Sequence, residues 1–384
     1  MLESKRQNNF DAVRLWLAAT VMLAHMIVIL PADYGVLKLY TDYVDGSRAV
    51  QCFFVISGFL IFRSYRASKT GWRYAGRRAR RIYPALCATV LACVMLGAVI
   101  TELPLSQYLS WQTLRYAVFN LAFATFAQPD LPGVFAHNAL HIVNGPLWTL
   151  KIEVMFYMLV PVMCWVARRF VRFEILAVAV YVASATLSAA AQHFDGLVAQ
   201  SLRLEQLAHQ LPGQLSFFMA GALLEYRLAD FRRYASGLVA AAAACLVAYG
   251  AFDLYILYPA ALAVVVIYLC VQIPVWVPAA RYGDFSYGLY IVHFPIIQTF
   301  AAFGILAGSP ALRAAAVVAC CFGAAALSWH AVEKRWLRAP GVGMQAAGYA
   351  GVGGAIDLRS PVLRRTAVFG NRGRHRLSLR RGSA

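Results

Sequence analysis

Residues 10–31 read FDAVRLWLAATVMLAHMIVILP. From Leu15 to Leu30 only Thr20 and His25 interrupt an apolar run. About twenty residues at ~1.5 Å each cover the ~30 Å of bilayer hydrocarbon, so residues 12–31 read as a membrane-spanning helix. Lys5 and Arg6 precede it in the manner of a secretory signal. Asp11 and Arg14 interrupt the start, however, and no small-x-small cleavage site follows, so an uncleaved first span is expected.

The same pattern recurs along the chain. Of 384 residues, 61% are hydrophobic and only 14% charged, too few charges for the surface of a soluble protein of this size. Apolar blocks at 12–31, 48–64, 82–101, 148–166, 173–192, 210–228, 234–252, 254–273, 285–304 and 312–332 predict an all-α polytopic membrane protein with about ten transmembrane helices. With both termini placed in the cytoplasm, the inner connections are 63–81, 167–172, 227–233 and 274–284. Inner segments and termini then hold 29 of the 35 Lys and Arg residues, the exceptions being Lys38, Arg48, Arg115, Lys151, Arg203 and Arg313. The net charge of +18 is therefore the positive-inside bias of a membrane protein, and no nucleic acid partner is expected. Residues 108–127 are apolar and aromatic enough to span. A span there would put Arg168, Arg169 and Arg172 outside, so the segment is expected to lie at the outer face as an interfacial or re-entrant piece. Residues 1–338 form the membrane domain. Residues 339–384, with eight arginines from 359 to 381, read as a basic, disordered cytoplasmic tail able to touch anionic lipid. The eight cysteines, mostly in apolar stretches with no CxxC pair, read as small buried hydrophobes, and no metal site is assigned.

Polar residues inside these blocks carry the chemical signal. Arg14 and His25 are eleven positions apart; eleven steps of about 100° return to one face, ~16 Å further along the helix. Asp11 precedes Arg14 by three and shares that face, where it can neutralise the guanidinium. Ionisable groups at such depth normally face a protein interior or a water-filled cavity. Arg14 also fits a snorkelling anchor, and His25 an interhelical hydrogen bond. In the fourth block Glu153 lies about two turns from the outer face, at a depth similar to His25. If the helices are neighbours, Glu153 can orient the imidazole and raise its basicity. Tyr157 shares the face of Glu153, while Lys151 points elsewhere; a bond from Glu153 to Lys151 or to backbone at the helix entrance is the plainer reading.

The inner connection 63–81 carries Arg63, Arg66, Lys69, Arg73, Arg77, Arg78, Arg80 and Arg81, with Trp72 and Tyr74 interleaved. On a helix these form a basic stripe suited to the phosphates of a large cytosolic anion or to anionic lipid. Gly71 and Gly76 argue against one unbroken helix. In the ninth block Ser286, Tyr290 and His293 share a face, lining a cavity or bonding helices around a kink at Pro295.

Taken in order, these pieces resemble the acyltransferase-3 family of bacterial membrane O-acyltransferases over about residues 8–338. They are Asn9-Phe10-Asp11-Ala12-Val13-Arg14 with His25; Phe53-Phe54-Val55-Ile56-Ser57-Gly58-Phe59-Leu60-Ile61; Arg77-Arg78-Ala79-Arg80-Arg81-Ile82-Tyr83-Pro84; Trp148-Thr149-Leu150-Lys151-Ile152-Glu153 to Tyr157; Ser286-Tyr287-Gly288-Leu289-Tyr290 with His293; and Glu333-Lys334-Arg335-Trp336. Trp336 stands where the family usually has proline, and Cys52 and Ile56 are mild departures. The resemblance implies transfer of an acetyl or other short acyl group from cytosolic acyl-coenzyme A, a co-substrate and not a bound cofactor. The acceptor it implies is a hydroxyl of an extracytoplasmic glycan such as O-antigen, exopolysaccharide or capsule. It further implies that Arg14 and His25 are required and that the arginine-rich connection helps hold the donor.

On this reading Arg14 and the loop arginines grip the coenzyme, and His25, oriented by Glu153, deprotonates the acceptor or is itself acylated. A proton-coupled transporter using His and Glu as a relay is the competing class, although no inverted hydropathy repeat is visible. A passive scaffold would not need charged pairs at depth.

Overall fold

The computed structural model describes residues 8–193, 204–252, 254–274 and 283–337, all within one compact unit. The tail 339–384 lies outside the described residues. With no water in hydrocarbon to bond the backbone, spanning segments must close their hydrogen bonds internally, and the described residues are helical with no strand. In chain order the main helices are α1 (Phe10–Ile29), α2 (Val36–Tyr43), α3 (Gly46–Arg66), α4 (Gly71–Ile100), α5 (Trp111–Leu121), α6 (Trp148–Arg169) and α7 (Phe173–His193). They continue with α8 (Leu211–Tyr226), α9 (Leu228–Phe252), α10 (Tyr258–Val271), α11 (Ser286–Ala302) and α12 (Pro310–Ser328).

Among the described residues, seven segments are long and apolar enough to cross a membrane: α1, α3, α4, α6 with its preceding turn, α7, α9, and α12 with its continuation to Leu337. The other three expected spans coincide with α8, α10 and α11, of 16, 14 and 17 residues. Large apolar side chains such as Val28, Val99, Trp165, Val247 and Leu327 are more than half exposed, as a lipid-facing surface requires. Five of the eight cysteines are buried and all are free thiols.

One inner connection bears out the doubt over an unbroken helix and another is shorter than expected. Residues 63–81 are helical to Arg66 and again from Gly71, with a break at 67–70. The Thr70 hydroxyl accepts from the Arg73 amide to start α4, which then runs unbroken through Gly76 and Pro84. A single interior glycine costs only ~1 kcal/mol, and the burial of Tyr74 and Ile82 on this helix outweighs it. The connection 227–233 shrinks to Arg227, because the Arg227–Asp230 pair at 3.0 Å supports the first turn of α9. Residues 108–127 contain the eleven-residue α5 and a short 3₁₀ turn, Thr125–Ala127. At 1.5 Å per residue α5 covers only about half of the hydrocarbon.

Packing centres on α3 against α8. A Cβ on Gly58 would lie 1.9 Å from the Phe218 carbonyl oxygen, and one on Gly221 would lie 2.0 Å from the Val55 oxygen. The two backbones therefore touch where both helices have glycine. Phe156 stacks on Phe218 at 4.0 Å and meets Phe54 edge-on at 5.3 Å, wedging α6 into the same joint. On the other side of α3, α1 packs between α3 and α11. Asn9 fixes its start: the side-chain amide donates to the Leu269, Ile273 and Pro274 carbonyls and so caps the end of α10.

The arginine-bearing helix ends gather at one end of the bundle. There Arg66 pairs with Glu225 at 2.9 Å and Arg227 with Glu174 at 3.7 Å. At the opposite end residues 122–147 are pinned to α11. Gln298 donates to the Leu140 and Ile142 carbonyls, and Asn138 donates to Gln298. Pro295 has no N–H for the Ile291 carbonyl, and Asn144 donates to that orphan oxygen at 2.8 Å.

Candidate functional site

A seam of polar side chains runs inside the bundle between α1, α3, α4, α6 and α11. At its arginine-rich end Asp284, two residues before α11, bridges two cations. Its Oδ2 accepts from Arg14 at 2.7 Å and from Arg81 at 2.6 Å. The Ser286 hydroxyl donates to the other oxygen. Burial opposes charge on Asp284, but the two guanidinium groups and the hydroxyl outweigh it and hold the carboxyl well below the usual carboxylate range. Arg81 also pairs with the buried Glu333 at 3.6 Å and lies over the Tyr287 ring. Glu333 closes a π-helical turn, Trp329–Glu333, which swings its carboxylate inward.

Asp11 thus does not hydrogen-bond Arg14; it acts on the guanidinium through space. Arg77 bonds the Ser64 carbonyl and the Ser68 hydroxyl. Arg78 bonds the Ser64 hydroxyl and rests over the Tyr157 ring at 5.7 Å. Arg80, half-buried, makes no hydrogen bond or ion pair among the described residues.

Midway along the seam Glu153 accepts from the Ser57 hydroxyl at 2.8 Å and bonds Tyr157, its i+4 neighbour. It lies within electrostatic reach of Arg14, Arg78 and Tyr290. Tyr290 in turn shares a hydrogen bond with Thr149 at 2.8 Å and lies 6.1 Å, ring to ring, from His293.

The far end of the seam holds two histidines. His25 Nδ1 is 3.1 Å from His293 Nε2, with the rings stacked at 5.1 Å. Phe294 closes on His25 edge-on at 5.2 Å and itself packs against Gly145, so the pinned outer segment buttresses the pair. The orienting partner of His25 is therefore His293, whereas Glu153, the partner expected, is engaged by Ser57. Equal depth on two helices does not make them face each other.

The tautomers follow from the hydrogen bonds. His293 Nδ1 lies 3.0 Å from the Leu289 carbonyl, which can only accept, so Nδ1 carries the proton. In the neutral ring Nε2 then accepts, and His25 Nδ1 must donate to it. His25 Nε2 is left with a free lone pair. His293 is fully buried, and His25 is the more accessible of the two.

Arg14 and Arg81 are thus joined through Asp284, and His25 and His293 by a hydrogen bond, with Glu153 and Tyr290 between the two groups and Asp11, Arg78, Tyr157 and Ser286 beside them. Asp284 joins them without having been singled out, and Ser57, Glu333 and Thr149 join them from stretches quoted only for the family resemblance. Asp284 carried a usable signal: it is the acid that opens the ninth apolar block, at the end where the arginines collect.

A family model described as an acyltransferase domain matches residues 7–332. An O-acetyl transferase of Shigella phage Sf6 is 26% identical over 343 residues, 86% of this chain and 96% of the relative. Nodulation protein 10 of Rhizobium leguminosarum bv. viciae is 30% identical over 200 residues, 50% of this chain and 53% of that protein. No solved structure matches.

Proposed function

The chain belongs to the acyltransferase-3 family, and from that premise we propose that it moves a short acyl group from acyl-coenzyme A to a glycan hydroxyl across a bacterial inner membrane. The observation that carries the mechanism is the hydrogen-bond line from the Leu289 carbonyl through His293 to His25, which leaves His25 Nε2 as a base. The donor's phosphates sit at the arginine-rich end, served by Arg80, Arg77 and Arg78. Its pantetheine arm runs along the seam for the ~16 Å that separate Arg14 from His25 on α1. The relative named an O-acetyl transferase supports acetyl as the group.

As the acceptor oxygen bonds to the thioester carbonyl, its proton passes to His25 Nε2. The C–S bond breaks and the coenzyme leaves as a thiolate, which takes the proton back from the imidazolium. His293 keeps accepting from His25 Nδ1 throughout, so the ring that gains charge stays oriented. Glu153, between Arg14 and Tyr290, supplies the negative charge nearest this path. The glycan, from O-antigen, exopolysaccharide or capsule, approaches from the end opposite the arginines.

Purified protein given radiolabelled acetyl-coenzyme A and a glycan acceptor tests this reading. His25→Ala should lower transfer by about 10²–10⁴-fold, the usual worth of a general base, with the elution profile of the folded protein unchanged. His293→Leu should also lower kcat. His293→Gln, whose amide oxygen still accepts from His25 Nδ1, should restore part of the loss. Wild-type turnover by His25→Ala would refute the assignment, and equal loss in both His293 variants would remove its positioning role.

A further inference from the structure

At the end of the bundle opposite the arginines, a cleft of about 450 Å³ opens where three connections meet. It is lined by Phe126 beyond α5, Lys151 in the first turn of α6, and Glu205, Gln206, His209 and Gln210 between α7 and α8. The cleft is shallow and wide open to its surroundings, as suits a chain laid along a surface and not an enclosed small molecule. Its chemistry is specific. The Phe126 ring is 74% exposed, with the Lys151 ammonium 5.1 Å from its centroid. The side chains of Glu205, Gln206, His209 and Gln210 make no hydrogen bond among the described residues. An exposed aromatic ring with an ammonium over one face, and with a carboxylate, an imidazole and two amides beside it, matches a sugar. The C–H face of a pyranose lies on the other face of the ring, and its hydroxyls meet donors and acceptors of both kinds. A lipid tail would leave five polar groups desolvated and unpaired, and a phosphate would meet the Glu205 carboxylate.

We infer that this cleft is a glycan-binding subsite, holding sugar residues of the acceptor chain that are remote from the reacting hydroxyl; the inference rests on the acyl-transfer reading above. Lys151 and Glu153 are two residues apart on α6, so they point about 200° apart around it. The cleft therefore opens on the side of α6 away from the seam. A single sugar bound there cannot reach His25. A chain of several sugars can extend past α6 from the cleft towards the seam, since one helix is about 10 Å thick. The subsite would select polymeric acceptors over free sugars.

The test uses the full chain in lipid nanodiscs and fluorescent oligosaccharides of one, two, four and eight sugars, cut from the surface polysaccharide of the producing cell. Binding is read by anisotropy, and label transfer from acetyl-coenzyme A is measured in parallel. Wild-type affinity should rise with length. Phe126→Ala should weaken binding of the four- and eight-sugar probes about tenfold, the scale of one lost aromatic contact, and Glu205→Gln should weaken it as well. Both positions are exposed, so neither change disturbs the packed interior. Affinity independent of length, or unaltered in both variants, would overturn the subsite. Length-dependent binding sensitive to Phe126, with no label transferred by wild type, would uphold the cleft and remove the acyl-transfer reading.

Discussion

Asp284 shows how single residues hold this membrane interior together. One carboxylate oxygen serves both Arg14 and Arg81, whose side chains are 20% and 16% exposed. Removing one member of such a buried set leaves uncompensated charge and costs roughly 3–5 kcal/mol. Asp284→Asn should therefore lower the unfolding temperature in detergent clearly more than neutralising the exposed Asp42, which pairs with Lys38 at the surface. The pH dependence has a definite sign. Because the folded carboxyl is held below its unfolded value of about 3.9, its stabilisation is fully present above that value. It is lost only as pH falls through the depressed folded pKa. Melting between about pH 5 and 8 should show no loss attributable to this group; a stability step in that range that vanishes in Asp284→Asn would contradict the bridge. Arg14 was legible as a buried cation from its depth in an apolar run. Its partner was harder to read: Asp284 opens an apolar block at the arginine end, but it lies 270 positions away and local spacing favours the nearby Asp11.

At the scale of helices, the account depends on α3 and α8 meeting backbone to backbone. Gly58 and Gly221 have no room for a methyl group, and the residue before Gly58 is Ser57, the hydroxyl that holds Glu153. Forcing atoms into such a contact typically costs ~1–3 kcal/mol. Gly58→Ala should reduce the folded fraction on gel filtration and lower activity even though no reacting group is touched. Gly237→Ala is the control, since a Cβ there meets nothing within 4 Å. Equal behaviour of the two variants would mean that the α3–α8 joint is looser than the structure shows. Helices were the readable part of the sequence because length and apolarity state the cost of crossing hydrocarbon directly. The unbroken start of α4 was less readable, since two glycines lower local propensity while the packing that overrides them comes from elsewhere in the fold. The pairing of His25 with His293 was hidden for the same reason: a shared face on α11 was visible, but not which helix it would meet.

For the molecule as a whole, separate clusters of polar side chains line up through an apolar bundle. On the proposed reading they run from an arginine cluster suited to phosphates, past Glu153, to a histidine base. Such a line has meaning only if donor and acceptor arrive from opposite sides. On the proposed reading, the bias of Lys and Arg towards alternate connections puts the arginine end in the cytosol. Sidedness of transfer is therefore the most direct measurement. Sealed vesicles of both orientations, with glycan on one face and radiolabelled acetyl-coenzyme A supplied only to the other, separate the possibilities. Label should reach glycan inside inverted vesicles when the donor is outside, with right-side-out vesicles and His25→Ala both silent. Labelling from donor on the glycan's own side, or undiminished labelling by His25→Ala, would contradict the account.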